Sequence, residues 1–130
     1  MSGFRTDHSR ARGLGAAKHG AGHWIGERVS AIALAPLSLW AIYAVLWLAR
    51  ADFYTASAWL GNPLNAVLVS LLLLTAFWHM HAGMRVIVED YIHTTFSKAV
   101  LLVLNLFVCV LVGGLGLFAV LKVALSGGVF

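Results

Sequence analysis

Two histidines, His79 and His81, lie inside an uncharged apolar run, and an acid–phenol pair, Asp90-Tyr91, follows at its polar end with His93 just beyond. An imidazole can ligate metal or carry a proton. An ionisable side chain is costly to hold in hydrocarbon, so finding one there marks a candidate functional position. In an α-helix each residue advances roughly 100° and 1.5 Å. His79, Gly83, Val86 and Asp90 then share one stripe, with Asp90 roughly 16 Å along the axis from His79, about half the thickness of a bilayer core. A neutral imidazole is a good axial ligand for haem iron, and Gly83, one turn on, leaves room for a flat macrocycle against the backbone. The competing reading of His79 is a hydrogen bond to a neighbouring helix. His81 sits about 200° around the helix from His79, so the two cannot hold the same iron. It is expected to pack or hydrogen-bond on the opposite face.

At the end of that helix the Tyr91 hydroxyl can hydrogen-bond a quinone carbonyl, and the adjacent Asp90 carboxylate can feed the protons that quinone reduction requires. An interfacial tyrosine beside a solvated acid is the alternative. Arg28, with Glu27 and His23 nearby, stands at the mouth of the first apolar run. Its guanidinium can pair a haem propionate, orient a quinone headgroup or snorkel to lipid phosphate. Arg85 and Glu89, spaced i and i+4, read as a surface pair that contributes little.

The elements that must position these groups follow from composition. The chain of 130 residues is 61% hydrophobic and 11% charged, with a mean hydropathy of +0.88, whereas a soluble domain carries about a quarter charged residues. Its solvent must be mostly lipid. Residues 29–49, 64–84 and 99–121 are uncharged apart from the two histidines, and each can supply the roughly 20 residues that cross a bilayer as helix. Runs such as Val69-Ser70-Leu71-Leu72-Leu73-Leu74 do not alternate, which argues against a β-barrel. The expected fold is an all-α membrane protein of three transmembrane helices, about 25–49, 64–91 and 98–122. Residues 1–22 are expected to be a flexible basic segment and 23–130 the membrane domain.

The net charge of +4 is unevenly spread. Arg5, Arg10, Arg12, Lys18 and Arg28 crowd the segment before the first span, while the 50–63 loop has Arg50 offset by Asp52. By the positive-inside rule the N-terminus and the second loop are cytoplasmic. The basic leader reads as a topology determinant and a contact for lipid headgroups or a partner rather than a nucleic-acid arm. Cys109 is the single cysteine, so a disulfide framework, a cysteine zinc site and an iron–sulfur motif are excluded. It reads, with Gly113, Gly114 and Gly116, as a small residue at a helix contact. The first apolar run is too long for a typical signal peptide.

The pattern His79-x-x-x-Gly83 followed by Asp90-Tyr91, with His23-Trp24, Arg28-Val29-Ser30-Ala31 and Pro36-Leu37 at the first helix, resembles the small hydrophobic membrane-anchor subunit of succinate dehydrogenase (respiratory complex II), in its alphaproteobacterial form. The likeness covers about residues 22–121 and rests chiefly on the second helix. The resemblance implies that His79 is one axial ligand of a haem b shared with a larger cytochrome b anchor subunit, with which the helices pack into a bundle. It implies that Tyr91, with Asp90, lines a ubiquinone site at the junction with an iron–sulfur subunit. Arg28 and His23 carry over as candidate propionate contacts. A flavoprotein subunit would hold the succinate chemistry, so this chain alone is not catalytic. His81 and His93 receive no assigned role.

A purely structural anchor or assembly protein without cofactor is the alternative reading, separable by the absorption spectrum of the purified complex. A metal-handling role is disfavoured because His79 and His93 lie roughly 21 Å apart along a helix and cannot share one ion. The expected location is a bacterial inner membrane. A mitochondrial inner membrane is the weaker fit, because no Arg/Ser-rich presequence stands out.

Overall fold

A computed structural model describes residues 6–13 and 20–126, and every regular element among them is helical. In chain order these are α1 (Asp7–Arg12), α2 (Gly20–Leu48), α3 (Phe53–Gly61), α4 (Pro63–Tyr91) and α5 (Thr95–Ser126). α2, α4 and α5, of 29, 29 and 32 residues, are long and apolar enough to cross a membrane. The three expected spans are therefore present, each with more helix than hydropathy alone outlined. α2 opens at Gly20, about a turn and a half before residue 25, and runs unbroken through Pro36. Of the expected basic leader, residues 7–12 form α1 and 20–22 belong to α2, while 1–5 and 14–19, with Arg5 and Lys18, lie outside the described residues.

The turn into α4 follows directly from its residues. Pro63 occupies the first turn, where its missing N–H costs nothing, and Asn62 caps the helix by accepting from the Leu64 amide at 3.0 Å. Asn65 Nδ2 donates to the Trp59 carbonyl at 2.9 Å and ties this start to α3. α3 was not anticipated from the sequence, where residues 50–63 read as a plain connection. Asp52 caps it, accepting from the Thr55 amide at 3.1 Å, and Trp59 stacks on Trp40 of α2 with ring centroids 5.9 Å apart.

Hydrogen bonding from Thr55, by its side chain and then its amide, holds the Asp52 carboxyl below its ordinary range. Because the folded-state value lies below the unfolded one, the cap contributes at all pH above the ordinary carboxylate range. It is lost as pH falls through the depressed value. Asp52→Ala is accordingly expected to speed hydrogen exchange at the Thr55 amide near neutral pH, and unchanged exchange would dismiss the cap.

α4 is the middle of the arrangement. It packs against both α2 and α5, α3 leans on α4 and α5, and α2 makes no comparable contact with α5. Gly113 lets α5 approach closely: a Cβ built there would lie 3.1 Å from the Phe77 ring, and one on Gly116 would lie 3.5 Å from Leu73. Cys109 is buried in the same seam, as its small size predicts. Three small residues of α2, Ala31, Ala35 and Ser38, are exposed within the chain. Among the described residues no side chain is completely enclosed, and long rows of Ile, Leu, Val and Phe face outward from all three long helices. Most of the apolar surface thus lies open to lipid or to other chains.

Candidate functional site

The polar groups buried between apolar helices define the site. Ser30 of α2 is only 6% exposed. Its Oγ donates to the Glu27 carbonyl at 2.9 Å and stands 3.0 Å from His79 Nδ1 of α4. That contact fastens the α2–α4 pair. It also occupies one ring nitrogen of His79, while Nε2 makes no hydrogen bond among the described residues. His79 lines an open cleft of about 270 Å³ with Glu27, Arg28, Ala31, Gly83 and Val86. The His79–Gly83–Val86 stripe is therefore real, and Arg28 joins it from the facing helix. A Cβ on Gly83 would meet nothing within 4 Å, so the wall beside the imidazole is flat and open. Arg28 also lies over the Trp24 ring, 5.5 Å from its centroid, a cation–π contact that steadies its long side chain.

His81 is committed elsewhere. Asn105 Nδ2 of α5 lies 3.0 Å from the His81 carbonyl oxygen and 3.0 Å from His81 Nδ1. A carbonyl can only accept, so the amide nitrogen donates one hydrogen there and the other to Nδ1. The ring proton of His81 is thereby assigned to Nε2, an inference from the hydrogen-bond pattern. Asn105 Oδ1 accepts in turn from Cys109 Sγ at 3.4 Å. The two histidines thus contact different flanking helices, as their angular separation requires.

His23 does not line the His79 cleft. It borders an adjacent one of about 130 Å³ with Glu27, Trp78, His81 and Arg85 among its walls. Its Nδ1 is 3.6 Å from Glu27 Oε1, a buried atom without a hydrogen-bond partner among the described residues. Glu27 is the residue common to both clefts. Asp90 and Tyr91 end α4 and are exposed, with Tyr91 at 76% and neither side chain hydrogen-bonded among the described residues. Neither is among the residues lining the two clefts, although Asp90 lies one helical turn beyond the cleft wall Val86. His93, beyond the helix, is exposed as well. Arg85 Nε pairs with Glu89 Oε1 at 2.7 Å as its spacing predicts, and Lys98 Nζ donates to the Glu89 carbonyl at 2.9 Å, closing the α4–α5 connection.

The donor set fits one side of a haem: an imidazole with a nitrogen to offer, a guanidinium suited to a carboxylate, and a glycine wall without side chain. No group of three or more His, Cys, Asp or Glu that could hold a metal ion occurs among the described residues. Among the described residues no second histidine lines the cleft of His79. Sequence reasoning missed Ser30 and Asn105. Both carry a detectable signal, since a polar side chain within an apolar span tends to face another helix and bond to it.

Comparison with known proteins matches residues 3–113 to the model of the succinate dehydrogenase/fumarate reductase transmembrane subunit family. Among curated proteins, the succinate dehydrogenase hydrophobic membrane anchor subunit of Rickettsia bellii is 35% identical over 89 residues, covering 68% of this chain and 71% of that one. The subunit of the same name from Rickettsia conorii is 33% identical, over 80% and 84%. That of Paracoccus denitrificans is 28% identical, over 76% and 77%. No solved structure matches the chain significantly.

Proposed function

The chain belongs to the succinate dehydrogenase/fumarate reductase transmembrane subunit family, and from that premise we propose that it is the small membrane anchor of a succinate:ubiquinone oxidoreductase. In this reading it lies in a bacterial inner membrane, N-terminus in the cytoplasm, and packs with a larger cytochrome b anchor beneath an iron–sulfur and a flavoprotein subunit. Succinate oxidation belongs to those other chains. This one helps bind a haem b and forms part of the ubiquinone reduction site.

The observation that carries the reading is the cleft in which His79, Gly83 and Arg28 meet. His79 would hold the haem iron through Nε2, and Arg28 would pair a propionate, whose carboxylate suits its planar fork. Gly83, without a side chain, would leave room for the macrocycle. A bound haem supplies a one-electron redox centre. His23, on the neighbouring cleft, is the second candidate for a propionate.

Tyr91 and Asp90 serve the quinone. The tyrosine hydroxyl donates to a quinone carbonyl and so favours the negative charge that builds on that oxygen as electrons arrive. The Asp90 carboxylate, open to water, relays protons to the reduced ring. The 76% exposure of Tyr91 within the chain leaves its ring free for a site that other subunits complete.

Two measurements test this. The purified complex is expected to show a b-type haem in its reduced-minus-oxidised spectrum. Tyr91→Phe is expected to lower quinone reduction by about 10-fold or more, in line with the contribution of a positioned proton-handling group, while succinate oxidation with an artificial acceptor stays near normal. Equal loss of both activities would indicate assembly damage, and unchanged quinone reduction would remove Tyr91 from the quinone site. A purely structural anchor is the second reading, favoured by the fact that both His79 and His81 bond to neighbouring helices. A complex without the haem spectrum would select it.

A further inference from the structure

The Ser30 hydroxyl has a single hydrogen. It lies 2.9 Å from the Glu27 carbonyl oxygen, which can only accept, so the hydrogen is committed to that bond. Toward His79 Nδ1, 3.0 Å away, Ser30 Oγ has only lone pairs left. The contact is a hydrogen bond solely when Nδ1 carries the imidazole proton. Neutral His79 then has a bare lone pair on Nε2, the form a metal requires.

We propose that Ser30 is a positioning residue for the haem ligand: it selects the Nδ1–H form of His79 and fixes the ring about its own axis. The inference rests on the haem reading of His79 given above.

Three features of the structure support it. Ser30 is 6% exposed, so water does not compete for the Nδ1 proton. The back-bond to Glu27 removes the freedom of the hydroxyl to rotate and act as donor toward the ring. That bond also lies within the turn of α2 that supplies Glu27, Arg28 and Ala31 to the cleft. One helical turn therefore orients the ligand and builds the wall opposite it. His81, two residues along, shows what the absence of such a partner does: facing an amide donor instead, it holds its proton on the other nitrogen.

Partners of this kind typically alter metal affinity by about 10- to 100-fold when removed. The experiment compares native complex with Ser30→Ala, Ser30→Thr and Ser30→Cys. It reads the rate of haem loss to excess apomyoglobin and the low-spin ferric EPR signal, which reports ligand-plane orientation. Ser30→Ala is expected to release haem about 10-fold faster or more and to shift the EPR signal. Ser30→Thr, whose hydroxyl can make the same back-bond in a helix, is expected to stay close to native. Ser30→Cys keeps the volume but bonds weakly, so it is expected to follow alanine, and it decides the matter if the alanine complex does not assemble. Native behaviour of both the alanine and cysteine variants would overturn the assignment of Ser30 alone, as would a threonine variant no better than alanine. A native complex without b-type haem would instead overturn the reading of His79 on which this rests.

Discussion

His79→Leu is expected to remove the b-type haem absorbance from the assembled complex almost entirely, while the complex itself still forms. Leucine offers no nitrogen with which to hold an iron. Loss of the ligand should exceed the roughly 10- to 100-fold effect typical of removing only a ligand's outer partner. The structure also indicates why the variant should fold. Ser30 Oγ keeps its bond to the Glu27 carbonyl, so no buried hydroxyl hydrogen is orphaned. The remaining cleft walls are open and can accommodate an aliphatic side chain. The check is the reduced-minus-oxidised difference spectrum with haem quantified per complex. Full haem content in the leucine variant would exclude His79 as a ligand and leave its Ser30 contact as simple helix packing.

Gly113→Val is expected to lower the melting temperature of the purified complex and its yield, at a cost of about 1–3 kcal/mol. The Cβ alone would stand 3.1 Å from Phe77 Cγ and 3.2 Å from Phe77 Cδ2. A branched side chain must then push the aromatic ring or part α4 from α5. Parting the helices would strain the Asn105 bonds to His81. Gly114→Ala is the control, since a methyl there meets nothing within 4 Å in this chain. A valine variant that melts like the native complex would show that α4 and α5 tolerate a wider spacing than their contact suggests.

The three spans were legible because a membrane demands long uncharged runs, and residues 29–49, 64–84 and 99–121 supply them. The extra turns were not, for a physical reason. Gly20–Arg28 contains His23, Glu27 and Arg28, which a hydropathy argument counts as the end of a span although the backbone bonds of a helix continue unaffected. α3 escaped because nine residues are too few to register as a span. Its signal was Asp52 three residues before Thr55, a capping geometry rather than a hydrophobic one. Of the candidate site, the stripe of His79, Gly83 and Val86 was readable from helical periodicity. The partition that sends Arg28 to the cleft of His79 and His23 to that of His81 was not. It depends on how α2 is rotated against α4, a pairing that includes the buried contact of His79 with Ser30, a residue that looks unremarkable among its apolar neighbours.

So little apolar surface is covered by the chain itself that its surroundings act as a structural component. The ruggedness of any preparation will track the acyl length of the amphiphile around it and the presence of the sister subunits, because both stabilise the folded form by contact and mass action. Two samples identical in sequence and pH can then melt far apart, and thermal comparisons between variants carry meaning only when detergent, lipid and subunit ratio are matched.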